Sequence, residues 1–311
     1  DLRTHISIDR WDDACRRLEA IATLLEVPLE YGVADDFPTH ASVPPTPLDD
    51  RFMVARDQEN ILLSVESETV RVELNLRRGL TIQSLAFRSH GFVPTVGTLP
   101  LGFFDSIELG ADFYSGGVVI ELPAQGRRVT DLERVEPEIV EHEGCLLIRA
   151  QVATNVGTIV KSVRIPQDDE SIVLECAFPD MVRTNGSVRA GILTLLPDAF
   201  DGELRVRCRN GGLADEVFEF DRPIDHGAPA STLVSSTSGL GATDGRLEIG
   251  DGERALRIQW DPAQCAVLPQ LVHRIASPSP LTRVMFSLHE SDETARPGGH
   301  LGALRLSISP T

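Results

Sequence analysis

In "VRVELNLRRGLTIQSLAF", residues 70–87, the apolar residues Val70, Val72, Leu74 and Leu76 alternate with Arg71, Glu73 and Asn75. A period of two places one side chain set on a core and the other in water, which is the pattern of a half-buried strand. Gly79 tolerates the left-handed backbone of a tight turn, and the run after it, "LTIQSLAF", is again apolar and β-branched. The stretch therefore predicts an antiparallel hairpin. Downstream, "CLLIRAQVAT" (145–154), "GTIVKSVRIP" (157–166), "SIVLECAFP" (171–179), "ELRVRCRN" (203–210), "RLEIG" (246–250), "RALRIQW" (254–260), "RVMFSLHE" (283–290) and "ALRLSIS" (303–309) repeat the theme. Asn155–Gly157 and Gly250–Gly252 are positioned as hairpin turns. So is "EHEGC" (141–145), whose clustered Glu141, His142, Glu143 and Cys145 also resemble a metal-ligand group.

Upstream of residue 50 the pattern differs. "IDRWDDACRRLEAIATLLE" (8–26) repeats Trp11, Ala14, Leu18, Ile21, Ala22 and Leu25 at helical spacing, with Asp9 as N-cap and Pro28 as stop. "FPTHASVPPTPLDD" (37–50) carries Pro38, Pro44, Pro45 and Pro47, which bar it from a helix or a sheet interior. The expected organisation is an N-terminal helix and proline-rich linker over residues 1–47, followed by a β domain over residues 48–311. Many strands, frequent turns and 25 glycines predict an all-β fold. A chain of 311 residues needs two large packed antiparallel sheets, because a single sheet leaves one face wet. The fold class is thus a large two-sheet antiparallel β-sandwich with a short N-terminal helical segment.

The formal net charge is −18, spread along the chain. That field repels phosphate backbones and anionic membranes, so neither nucleic acid nor membrane is an expected partner. No run reaches the ~20 apolar residues of a spanning helix, and no signal peptide pattern opens the sequence, so the expected location is the cytoplasm. The five cysteines are widely spaced and suit small buried hydrophobes. Lys161 is the only lysine among 29 basic residues, a bias without mechanistic meaning at this level. Neither a P-loop nor a G-x-S-x-G elbow is present, and no cofactor or metal is expected.

"VRVELNLRRGLTIQSLAF" and the closing "QLVHRIASPSPLTRVMFSLHESDETARPGG" (270–299) resemble the galactose-mutarotase-like β-supersandwich domains of carbohydrate-active enzymes. Such domains also follow the catalytic barrels of glycoside hydrolase families thirty-eight and fifty-seven. The resemblance covers roughly residues 50–311 and is architectural. It implies a carbohydrate ligand, and either action on glycosides or support of a separate catalytic domain. The Asn-His-x-Tyr-Phe-Asn-Leu type of stretch found in aldose epimerases has no counterpart here, so their histidines do not carry over.

The densest cluster of reactive side chains is "DSIELGADFYSGGVVIELP" (105–123). Asp112 and Glu121 are the candidate catalytic carboxylates, one protonating the leaving oxygen and one stabilising or attacking the anomeric carbon in metal-independent hydrolysis or epimerisation. Asp105 and Tyr114 are candidate sugar-binding residues. "LHESDE" (288–293) adds His289 and Glu290, with a solvated acidic loop as the plainer reading of that run. Two other classes stay open: a non-catalytic carbohydrate-binding module, and an assembly protein that presents a sandwich face to a partner or forms a homo-oligomer.

Overall fold

The computed structural model describes residues 46–49, 51–105, 113–220, 239–291, 294 and 298–311. The expected helix over residues 8–26 and most of the proline run lie outside them. Within the described residues, twenty strands pair antiparallel into two sheets. Sheet A contains β1 (Thr46–Asp49), β2 (Phe52–Arg56), β3 (Leu62–Glu66), β4 (Val70–Asn75), β5 (Thr81–Phe87), β6 (Pro94–Gly97), β7 (Val119–Leu122), β8 (Arg127–Thr130), β13 (Gly186–Leu195), β18 (Leu268–Arg274) and β19 (Leu281–Ser291). Sheet B contains β9 (Glu138–His142), β10 (Cys145–Thr154), β11 (Gly157–Pro166), β12 (Ile172–Ala177), β14 (Arg205–Cys208), β15 (Glu216–Glu219), β16 (Arg246–Gly250), β17 (Ala255–Gln259) and β20 (Leu304–Pro310).

The order in sheet A is β1-β2-β3-β4-β5-β6-β13-β19-β18, with β7 also on β13 and β8 on β7. In sheet B it is β15-β14-β16-β17-β20-β12-β11-β10-β9. The expected two-sheet sandwich is therefore the observed one. The hairpin of residues 70–87 forms as β4 on β5. His142 pairs with Cys145 across Glu143 and Gly144, both at positive φ, so "EHEGC" is a hairpin turn. The last residues of the proline run, Thr46–Asp49, add the edge strand β1, and an edge is where a strand tolerates Pro47.

The core lies between the sheets. Val72, Leu74, Leu85 and Phe87 from sheet A and Leu146, Ile148, Val163 and Leu174 from sheet B belong to one buried cluster. Trp260 faces this core and meets Phe286 edge-on, with ring centroids 5.5 Å apart. Cys176 and Cys208 are buried, and burial pushes the Cys176 thiol up to about 12 despite Lys161 nearby.

A lysine breaks the apolar pattern of β11. On β11, Lys161 is in phase with Ile159 and Val163, and its side chain is completely buried. Its Nζ donates to the Asp131 carboxylate at 2.7 Å and to the Gly79 carbonyl at 2.6 Å. The other Asp131 oxygen accepts the Val118 N–H at 3.0 Å. This cation therefore ties sheet B to the β4–β5 turn and to the entry of β7 in sheet A. Gly79 sits at φ +64°, and a Cβ there would lie 1.8 Å from the Asp131 carbonyl oxygen, so no larger residue fits.

Among the described residues, His90 and His273 are also buried. His90 has no hydrogen-bond partner on either ring nitrogen, and His273 stacks on Phe220 at 4.8 Å. Burial holds both below the ordinary histidine value of 6.5; for His90 the nearby Glu170 opposes this and Arg254 adds to it.

Replacing Lys161 with Met leaves the Asp131 carboxylate buried and unpaired. Urea unfolding is expected to show a loss of roughly 3–5 kcal/mol, with part recovered in the Asp131→Asn, Lys161→Met double variant. The histidines give a pH signature. The unfolded chain binds protons near pH 6.5 that the native state resists, so stability falls as pH drops below about 6.5. Urea midpoints at pH 7.5 and 5.5 should lie closer together in His90→Leu than in the parent protein.

Candidate functional site

The stretch 105–123 does not form one continuous element. β6 ends at Gly97, where Thr98 Oγ1 donates to the Ile82 carbonyl at 2.7 Å. The chain returns to the same gap in sheet A at Ser115 and Gly116. There the Ile82 N–H donates to the Ser115 carbonyl at 2.7 Å and the Gly116 N–H to the Ile192 carbonyl at 2.5 Å. Ser115 Oγ closes the seam by donating to the Gly97 carbonyl and accepting the Thr194 N–H. The chain between these points leaves at Gly97 and, on its return, sets Phe113 on the outer face of sheet A, the face turned away from the shared core. Asp105 is exposed on its outgoing limb. Glu108 and the candidate acid Asp112 lie outside the described residues.

Phe113 and Tyr114 stand on the returning limb. Phe113 packs on a small apolar patch of Val119, Val272, Met285 and Ile192, separate from the main core. The Arg283 guanidinium lies 4.7 Å from the Phe113 ring centroid, and that of Arg128 lies 5.9 Å from it. Arg283 is buried, which brings it down to about 10, and its Nε donates to Thr194 Oγ1 at 3.0 Å. Tyr114 faces Arg78 at 5.9 Å instead.

Beside this patch the strand register assembles a polar network. Arg128, Glu121, Ser187 and Glu290 form a cross-strand row through β8, β7, β13 and β19. Glu121 shares its face with Val119, as alternation predicts, while Ile120 and Leu122 point into the core. Arg189 then joins the two carboxylates. Its Nη1 lies 3.4 Å from Glu121 Oε2, and its Nε and Nη2 reach the two oxygens of Glu290 at 3.0 and 3.4 Å. Glu121 Oε1 also takes Arg128 Nη2 at 2.7 Å. Glu290 Oε1 further accepts Ser287 Oγ and Gln270 Nε2, each at 2.9 Å. Ser187, buried in the same row, has no partner for its hydroxyl.

A β-bulge makes this convergence possible. Arg189 pairs with Ser287 but Val188 pairs with His289, so Leu288 is the extra residue. Without it, Ser287 and Glu290 would point to opposite faces; with it, they share one. The expectation of an acidic loop from residue 288 is corrected accordingly, since β19 runs to Ser291. Asp292 and Glu293 lie outside the described residues. His289 pairs opposite the core residue Val188, and its Nε2 lies 2.9 Å from the Thr184 carbonyl oxygen and 3.1 Å from Ser291 Oγ.

Among the candidate residues, then, Glu121 and Glu290 come together, whereas His289 bonds to Thr184 and Ser291 and Tyr114 faces Arg78. Arg189 was not legible as a site residue, because β13 is buried on both faces and its sequence, "GSVRAGILTL", shows no alternation. No group of His, Cys, Asp and Glu suited to a metal ion occurs among the described residues. No helix among them is long and apolar enough to cross a membrane.

No family model and no curated relative matches the chain. Among solved structures it is similar to a TPR-domain containing protein from Parabacteroides distasonis, with a TM-score of 0.49 and 12% identity over 88% of this chain and 53% of that one. It is similar to the galactosidase domain of an alpha-galactosidase-sucrose kinase, with a TM-score of 0.49 and 11% identity over 83% and 41% of the two chains. A galactose mutarotase-like protein from Clostridium acetobutylicum gives a TM-score of 0.47 and 7% identity over 80% and 94%. The chain spans about half the length of the first two, with 53% and 41% of them covered. At TM-scores of 0.47–0.49 these likenesses assign neither family nor activity.

Arg189 separates two carboxylates that would otherwise face each other. Its replacement by Leu is expected to lower stability by roughly 1.5–3 kcal/mol in urea unfolding. Adding Glu290→Gln should restore part of the loss, and strict additivity of the two changes would show that the carboxylates do not share the cation.

Proposed function

We propose that the outer face of sheet A around Glu121, Arg189 and Glu290 binds carbohydrate. The observation that carries this reading is the convergence of Arg189, Gln270 and Ser287 on Glu290, beside the Phe113 patch. A sugar presents hydroxyls that both donate and accept, together with apolar C–H faces. A fixed array of carboxylate and amide groups next to an aromatic ring matches both features. The groups are held by one another before any ligand arrives, which lowers the ordering cost of binding. In this role the carboxylates accept sugar hydroxyls, and Arg128 and Arg189 orient them. Glycoside hydrolysis by Asp112 and Glu121 is the finer form of the same reading, with Glu121 held between Arg128 and Arg189 as the group at the anomeric carbon.

A glycan panel assayed for both binding and product release tests the proposal, with Asp112→Asn, Glu121→Gln and Glu290→Gln alongside the parent protein. Saturable binding that weakens about tenfold or more in Glu121→Gln or Glu290→Gln, in proteins that keep the parent melting temperature, supports the carbohydrate site. Turnover that disappears in Asp112→Asn and Glu121→Gln while binding persists makes the protein a glycosidase. No binding to any glycan removes the proposal and leaves assembly with a protein partner as the function class to pursue.

A further inference from the structure

The outer face of sheet B carries a second, unrelated cluster. On β14, Arg205 and Arg207 alternate with the buried Val206 and Cys208, so both guanidiniums face outward. Register continues the outward row from Arg207 through Glu248 on β16 to Arg257 on β17. Glu248 Oε1 accepts Arg257 Nε and Nη2, each at 3.0 Å, while Glu248 Oε2 lies 3.7 Å from Arg207 Nη1. One carboxylate thus holds two guanidiniums side by side. The neighbouring row runs from Arg205 to Gly250 and Ala255, which offer no bulk. Gly250 has to be glycine, because a Cβ there would lie 2.2 Å from the Arg254 carbonyl oxygen. The result is a cleft of about 450 Å³ over Gly250 and Ala255, lined by Arg205, Arg207, Arg246 and Arg257 together with the carboxylates of Asp215, Glu248, Asp251 and the exposed Glu253.

The charges around the cleft are unequally available. Asp251 lines it, but its carboxylate accepts the backbone N–H groups of Asp201, Gly202, Glu253 and Arg254 at 2.7–3.0 Å. Burial works against its charge, yet these four bonds hold its carboxyl below the ordinary aspartate range. Asp215, also lining the cleft, is engaged by Arg209 and Arg246. Arg205 has no hydrogen bond or ion pair among the described residues. A guanidinium matches a tetrahedral oxyanion through paired N–H donors. The net charge of −18 opposes such a ligand at long range, but salt screens that repulsion beyond ~10 Å at 0.1 M.

We infer that this cleft binds the phosphoryl or sulfate group of a small ligand between Arg205, Arg207 and Arg257. The site lies on the opposite sheet from the carbohydrate face and does not depend on it. Isothermal titration with methyl phosphate, methyl sulfate and inorganic pyrophosphate tests it directly, with sodium chloride at matched ionic strength as the baseline. Saturable binding is expected for at least one of the three, weakened fivefold or more in Arg205→Ala and Arg207→Ala and unchanged in Arg149→Ala, an exposed arginine on β10. Ala255→Glu, which sets a carboxylate on the floor without removing an arginine, should abolish binding and covers the case in which an arginine variant fails to fold. Preference for methyl phosphate or methyl sulfate identifies the ester class. Heats no larger than those of sodium chloride, or binding that survives both Arg205→Ala and Ala255→Glu, overturn the inference.

Discussion

The ion pair between Lys161 and Asp131 is the constraint on which the rest of the sandwich turns. Burying two charges costs several kcal/mol per ion unless every hydrogen-bonding position nearby is filled. Here the Gly79 carbonyl accepts a second Lys161 N–H, and the Val118 N–H reaches the other Asp131 oxygen. These partners come from the β4–β5 turn, the chain after β8, the start of β7 and the middle of β11. None can shift without exposing a buried charge. The pair also reaches the functional face, since Val118 leads directly into β7, the strand that presents Glu121.

Two irregularities in otherwise regular sheets build that face. The seam between Gly97 and Ser115 lets the chain leave sheet A and return without breaking its hydrogen bonding, which sets Phe113 above the strands. The extra residue at Leu288 rotates the end of β19 by one face and delivers Glu290 beside Arg189. Regular pleating would have given an outer surface of separate, solvated side chains. A face of interlocked polar groups requires strands to depart from strict alternation at chosen points.

The architecture was largely legible because alternation is a local signal. Residues 70–87, 145–154 and 303–309 each announce a strand with one buried face. β13 was invisible to the same reasoning, since "GSVRAGILTL" is buried on both faces and shows no period. The site was legible only in part. Glu121 lies on the face that alternation assigns it. Its grouping with Arg189, Ser287 and Glu290 depends on pairing between strands far apart in the chain and on a bulge that composition does not reveal. Lys161 did leave a trace, because a lysine in phase with Ile159 and Val163 is a charge on the core side of a strand. That phase, rather than the scarcity of lysine, was the informative observation.

The burial of Lys161 has a chemical corollary. A chain with a single side-chain amine, sealed between its sheets, offers none to acylating reagents, reducing sugars or lysine-conjugating enzymes while it stays folded. Modification of that nitrogen requires the sheets to part, so its rate counts opening events rather than surface exposure. The protein thus carries its own reporter of global opening, one that needs no introduced label.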